Sequence, residues 1–464
     1  MPMNNPSAVL GAGNQRILSA SSVVSVGVIG DSIARNNYSA TNSGGLVGTI
    51  RKSTGFGCWV TYACALSGGR AYPDVYAYEG YSGNTGDQIL AAALDASVTE
   101  LWGPASTIAI GIRARTPKLV FDMSGTNNLY LSTLANVQNG TALARAVAER
   151  RAIWAYLRAC GALPIALSLL PMQGSTAGSG GLTGAVCAPY VPAWNTAMQA
   201  AAVIDGVPWV DGYTPCAIVS GGGWKTGYVY HNGADDVIGL HPSALASLAI
   251  GAAAGAVLNA AISGAPALPT IYDGSSPIYA AAFAAGGNRQ YFSNFSNPLF
   301  TSTTGWASRY DPEGDSSLAL YTPTQDTTGG GTLRFVKPSN AGTRYADWRG
   351  PPLAVTAGQE YLAFFSVRFK QCDSLAAVQV HIADDTSASG SRYQPMAVTD
   401  ISNREAPAGT AVDSGVLRMA LYYKVPTGVN AVCPMVVVNR GTAGGTAGQQ
   451  DEIYLSNLGQ LRLS

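Results

Sequence analysis

The sequence predicts two units of different class: a parallel α/β sheet with helices on both faces over residues 22–263, and an all-β domain over 297–464. Three observations predict this. Apolar strand-like runs alternate with helix-like stretches from residue 22 to 263, the pattern of a parallel sheet with covering helices. A Pro-, Gly- and Ser-rich stretch, "GAPALPTIYDGSSP" (264–277), then breaks the pattern and opens a linker over 264–296. From Asn297 onward short β-type runs alternate with Gly, Ser, Thr and Asp turns, with no long helix signal and no tandem repeat. Residues 1–21 are an N-terminal arm.

The elements follow in order. "VVSVGVIG" (23–30) is an apolar, β-branched run and reads as a buried strand. "GCWVTYACAL" (57–66) and "PDVYAY" (73–78) read as further strands. "PKLVFDMSG" (117–125) starts polar, runs through Val, Phe and Met, and ends in Ser-Gly. "TALARAVAERRAIWAYLRACG" (141–161) is helical: Leu143, Val147, Trp154 and Leu157 share one face, and Gly161 offers a C-cap. "LPIALSLLP" (163–171) and "VPWVDG" (207–212) are strands. "HPSALASLAIGAAAGAVLNAAI" (241–262) closes the unit as a helix with Pro242 near its first turn. In such sheets ligands bind beyond the carboxyl ends of the strands.

Composition narrows the partners. The chain has 464 residues, enough for two or three domains, and 47% are hydrophobic, enough for a large core. Only 12% are charged and the net charge is zero, which argues against capture of nucleic acid or an anionic membrane. A neutral, hydroxyl-rich partner such as a polysaccharide fits better. The seven cysteines are scattered without a CxxC pair, so a disulfide scaffold or zinc ribbon is not expected, and no metal or cofactor is implied. "MPMNNPSAVLGAGNQRILSASS" has no basic n-region or continuous apolar h-region, so no signal peptide is expected. The apolar run 244–258 is short and rich in Ala and Gly, so a buried helix is expected rather than a membrane span. The chain is expected to be soluble, with any export by another route.

Four short stretches of the first unit belong together: Gly30-Asp31-Ser32 at a strand end, "GYSGNTG" (80–86), "SGTNN" (124–128) and "GLHPS" (239–243). Singly they are a turn, a flexible loop, a helix cap and a helix start. In this order they place a hydroxyl, a glycine N–H, an amide and an imidazole at one edge of a parallel sheet. A serine hydroxyl needs a base to become nucleophilic, and histidine suits that near neutral pH. The oxyanion formed on attack at an ester needs donors already in place.

These stretches resemble the blocks of the SGNH, or GDSL-type, esterase and lipase family, in the right order over residues 22–263. The resemblance implies a flavodoxin-like three-layer α/β/α fold and ester hydrolysis, often of acetyl groups on sugars, without a metal. It implies Ser32 as nucleophile and His241 as base, with an oxyanion hole from the Ser32 N–H, the Gly83 N–H and the Asn127 amide. The chain departs from the family at two places. Block three ends in Asn128 where Asp is usual. The residue three before His241 is Ile238 where an acid is usual; Asp235 and Asp236 lie nearby. Asp236 is the favoured orienting acid. Asp235, or a Ser–His dyad helped by a backbone carbonyl, stays open.

The remaining polar residues read as structural. Asp31 anchors its turn, Asp211 caps a loop, His231 could line the pocket and His381 lies in the β domain. "NPLFTSTTGW" (297–306) and the β pattern after it loosely resemble a jelly-roll carbohydrate-binding module, with Trp306, Tyr310, Tyr345 and Trp348 as sugar-stacking candidates or as core aromatics. An oligomerisation or attachment module is the other reading, which leaves room for a homo-oligomer. Low charge and an appended β domain also resemble phage tail and fibre proteins with an esterase domain. The rival from another class is therefore a virion-associated receptor-binding or structural protein with a vestigial site. A lipase is a weaker rival, since no long apolar lid segment is apparent.

Overall fold

A computed structural model describes, in the first unit, residues 18–19, 24–34, 58–67, 70–95, 111–177, 181–219, 222–229 and 238–263. Beyond it, the described residues are chiefly strands between 289 and 462. Asp235, Asp236, His231 and Trp306 lie outside the described residues.

The first unit is built on five strands: β1 (Val24–Gly30), β2 (Ala71–Gly80), β3 (Leu119–Met123), β4 (Leu163–Leu167) and β5 (Trp209–Val210). All pair in parallel, in the order β2-β1-β3-β4-β5. This is the flavodoxin-like order, and it reverses between β1 and β3. Six helices matter here: α1 (Cys58–Leu66), α2 (Gly86–Leu94), α3 (Thr126–Tyr130), α4 (Thr141–Ala159), α5 (Val191–Ile204) and α6 (Ala244–Ala261).

Alternate residues of each strand point to opposite faces, and both faces are covered. On one, Val24, Val26, Val28 and Phe121 pack against Trp59 and Ala63 of α1 and Ile250, Ala254 and Leu258 of α6. On the other, Ile29 and Val120 meet Ile89 of α2 and Ile153 and Leu157 of α4. Trp154 of α4 packs with Ala201 and Ala202 of α5 over Ala166. The expected α/β/α class is therefore observed.

One element differs in kind. Residues 57–66 read as a strand because Trp, Val, Thr and Tyr favour strands, but Cys58–Leu66 is a helix. Packing overrides propensity here. Trp59 and Ala63, four apart, share a helical face and dock on α6. The two helices approach closely: a Cβ on Gly251 would sit 2.4 Å from Tyr62 Cβ. The other strands and helices expected in the first unit are met within a few residues, while a strand at Arg289–Tyr291 falls inside the stretch expected to be a linker. The closing helix starts at Ala244, with Ser243 as its N-cap accepting from the Ala246 N–H at 3.2 Å. Among the described residues no helix is long and apolar enough to cross a membrane.

The second half is all-β in its described residues. One antiparallel sheet runs Thr324–Asp326, Thr332–Lys337, Asp451–Arg462, Glu360–Gln371 and Val412–Asp413. Leu417–Lys424 and Arg289–Tyr291 are attached to it. The other runs Pro395–Asp400, Leu375–Asp384, Ala431–Arg440, Tyr345–Arg349 and Ala307–Tyr310, with Leu353–Ala354 attached. Tyr310, Tyr345, Trp348 and His381 fall on strands of this second sheet.

Candidate active site

Three sheet loops and the start of α6 converge where the strand order reverses. The β1 strand ends in a turn held on both sides by backbone. The Asp31 N–H donates to Met123 O at the end of β3 (3.1 Å), and the Tyr81 N–H after β2 donates to Gly30 O (2.8 Å). Gly30 must lack a side chain, since a Cβ there would lie 2.1 Å from Met123 O. Asp31 completes the turn by accepting the Ile33 N–H at 2.9 Å. Ser32, half-buried at the apex, is thus aimed by the sheet itself.

His241 precedes α6, and its Nε2 lies 2.8 Å from Ser32 Oγ. The two are separated by 209 residues in sequence, so the fold alone brings them together. The His241 loop is held through Gly239 O, which accepts from the Gln173 N–H (3.1 Å) and from Trp224 Nε1 (2.9 Å). Ser243 fixes the other side: its N–H donates to Tyr228 O and its Oγ to Gly227 O.

The amide and glycine donors come from the two flanking loops. Asn127, in the first turn of α3 after β3, is 7% exposed, and its Nδ2 donates to Asn84 O at 3.0 Å. That bond uses one amide hydrogen and leaves the other for a ligand. Gly83, one residue before Asn84, is exposed and has φ +80, a left-handed conformation that favours glycine. No atom lies within 4 Å of a Cβ built on it. Its glycine therefore serves backbone conformation rather than close packing.

Beneath this edge lies a charged pair that sequence reading missed. Asp122, fully buried in β3, accepts from Arg150 Nε (2.8 Å) and Trp154 Nε1 (2.7 Å) through Oδ2, and from Ser124 Oγ (2.6 Å) through Oδ1. Arg150 also donates to Asp122 O and Leu167 O. The network ties the start of the Asn127 loop to α4. An acid inside "LVFDM" was the available signal, since a buried carboxylate must be paired.

Burial also acts on Asp31. Loss of solvent raises its carboxyl from 3.8 to about 6, against the Ile33 N–H, the Thr126 hydroxyl and nearby His241, which favour the charged form. Its carboxyl faces the Thr126 hydroxyl, which lies close enough to favour the charged form but outside ordinary hydrogen-bond geometry.

The structure thus brings Ser32, His241, Asn127 and the Gly83 loop together. Asp31 and Asp211 have the anchoring parts expected of them: Asp211 Oδ1 accepts from the Tyr213 and Thr214 N–H groups. Ile238 is half-buried among apolar side chains of the cluster containing Leu169, Cys187 and Leu240.

About half of the chain is matched by solved structures, each at low identity. A GDSL-like lipase from Bacteroides thetaiotaomicron is 16% identical, with a TM-score of 0.33 over 52% of this chain and 92% of its own. A variant of an acetyl-xylooligosaccharide esterase from Geobacillus is 15% identical, with a TM-score of 0.31 over 52% and 94%. A tailspike domain of bacteriophage CBA120 is 13% identical, with a TM-score of 0.23 over 36% of this chain and 20% of its own. No protein-family model and no curated protein sequence matches the chain.

Proposed function

We propose that the chain is a serine esterase that removes O-acetyl groups from a polysaccharide. The observation that carries the reading is the 2.8 Å contact between His241 Nε2 and Ser32 Oγ at the sheet's switch point, flanked by two donor-bearing loops. In this reading His241 takes the proton of Ser32 as Oγ attacks the acyl carbon, and returns it to the leaving alcohol. The oxyanion is held by the Ser32 and Gly83 N–H groups and the Asn127 amide. Water, activated by His241, then cleaves the acyl-enzyme. Asp236 is the proposed orienting acid, with Asp235 or a dyad as the alternatives. Low charge suits a neutral, hydroxyl-rich substrate. The β domain is proposed as a jelly-roll module for sugar binding or attachment.

Hydrolysis of p-nitrophenyl acetate by wild type, Ser32→Ala, Asp235→Asn and Asp236→Asn tests this. Loss of at least about 10³-fold in Ser32→Ala is expected. Wild-type activity in Ser32→Ala would sink the reading. Loss in one Asp variant would name the acid, and loss in neither would mean a dyad.

Ile238 favours a second reading, in which the fold serves receptor binding in a virion and the site is vestigial. A fluorophosphonate probe separates the two, since only an activated Ser32 would gain its mass.

A further inference from the structure

Asn128 is the residue after the proposed oxyanion donor, and both ends of its amide are engaged. Oδ1 accepts the Gly86 N–H at 3.1 Å, at the start of α2, and Nδ2 donates to Glu149 Oε2 of α4 at 2.7 Å. A backbone N–H on one side and a carboxylate on the other fix which end is which. Glu149 Oε2 also accepts the Asp87 N–H at 3.1 Å, and its Oε1 accepts from Arg145 Nε at 2.6 Å. Arg145 reaches on to Asp87 Oδ2 at 2.8 Å. The parts fit closely: a Cβ on Gly86 would lie 2.8 Å from Glu149 Cβ. Asn128 is 6% exposed and the Glu149 side chain 11%.

The loops carrying Gly83 and Asn127 are thus joined twice, once by Asn127 Nδ2 to Asn84 O and once through the Asn128–Glu149 pair. We propose that Asn128 and Glu149 form one positioning unit that sets the distance between the two loop-borne oxyanion donors, with the single negative charge placed on Glu149 and a neutral amide required opposite it. This rests on the esterase reading above. Neither residue is one of the proposed donors. Both act through Asn127 and Gly83.

The unit predicts a charge exchange. Asn128→Asp sets two carboxylate oxygens about 2.7 Å apart, where they must share a proton or separate. Separation moves α2 and its preceding loop away from Asn127. Adding Glu149→Gln restores one donor and one carboxylate with the roles swapped, and gives up the acceptor that Glu149 Oε2 offers the exposed Asp87 N–H. The new amide at position 149 then donates to the new carboxylate at position 128, which still accepts the Gly86 N–H.

The test is p-nitrophenyl acetate hydrolysis and fluorophosphonate labelling of wild type, Asn128→Asp and the double variant that adds Glu149→Gln, with thermal unfolding of each. Asn128→Asp is expected to lose about tenfold or more in kcat, with KM within about twofold. Its deficit against wild type should shrink between pH 8 and pH 5.5, as the carboxylate pair takes up a proton. The double variant should return to within about threefold of wild type. A fully active Asn128→Asp, or a folded double variant no better than Asn128→Asp, overturns the proposal. If Asn128→Asp does not fold, the double variant decides: folded and active supports the exchange, unfolded overturns it. A wild type that neither takes the label nor hydrolyses the ester removes the esterase reading, and this proposal with it. A labelled wild type with an uncompensated pair removes this proposal alone.

Discussion

The turn that carries Ser32 and the loop that carries His241 meet across 2.8 Å but are built differently. The Ser32 turn is bonded to the ends of the two neighbouring strands and would not tolerate a methyl group at Gly30. Its geometry is that of the sheet. The His241 loop is bonded to other loops, through Gln173, Trp224, Gly227 and Tyr228. Its geometry depends on irregular segments of the chain lying where they do. The difference teaches that the serine's position is set by strand register, whereas the histidine's is set by a handful of individual hydrogen bonds. Changes at the first should break the fold; changes at the second should alter activity first.

Gly30→Ala breaks the comparison at its strong end and has the largest expected effect. The added Cβ meets a backbone carbonyl, which cannot swing aside, so β1 and β3 must part. Loss of about 3 kcal/mol or more is expected, seen as insolubility or a greatly lowered Tm. Gly83→Ala is the control. It meets nothing within 4 Å and should cost only about 1–2 kcal/mol of left-handed strain. Equal Tm values for the two variants would deny that strand register holds the serine.

Asn127→Ala acts chiefly on activity, though it also removes the Nδ2 bond to Asn84 O. Loss of one prepositioned donor should lower kcat by about 10²–10³, with KM little changed. A variant within threefold of wild type would remove Asn127 from the oxyanion hole.

Asp31→Asn sharpens the account of the Ser32 turn through pH. The buried carboxyl of Asp31 is raised from 3.8 to about 6, so the native state holds a proton that the unfolded chain releases. This contribution to stability is fully present below pH 3.8 and is lost as pH rises through 6. Asparagine does not titrate. The stability of Asp31→Asn relative to wild type should therefore rise between pH 4 and pH 7, by about 2 kcal/mol, since a small part of the two-unit shift is already felt at pH 4. Denaturant unfolding at the two pH values measures it. Parallel pH curves would show that Asp31 does not change protonation in this window.

Much of this was legible in the sequence, for physical reasons that also mark its limits. Strand alternation and the G-D-S turn were readable because apolar strands must end where polar chemistry begins. The pairing of Ser32 with His241 followed from placing both at one sheet edge. The helix at Cys58–Leu66 was not readable, because its aromatic and β-branched residues belong to strands until the close contact of Tyr62 with Gly251 of α6 is known. The Asp122–Arg150 pair and the Asn128–Glu149 pair span 28 and 21 residues, and nothing local in either segment names its partner.

The smallest effect probes the weak end of the comparison. Trp224→Phe removes the indole N–H that Gly239 O accepts, two residues before His241, and leaves the Gln173 N–H on the same oxygen. The loop keeps one of its two anchors there. Trp224 is 3% exposed and packs in the core cluster, so some loss of stability accompanies the change. If the His241 loop is held by individual bonds, kcat should fall about threefold to tenfold at a temperature well below Tm, with KM steady. If the loop were held as firmly as the Ser32 turn, only Tm would move and kcat would stay at the wild-type value. The ratio of the two effects therefore reports directly on how the base is held.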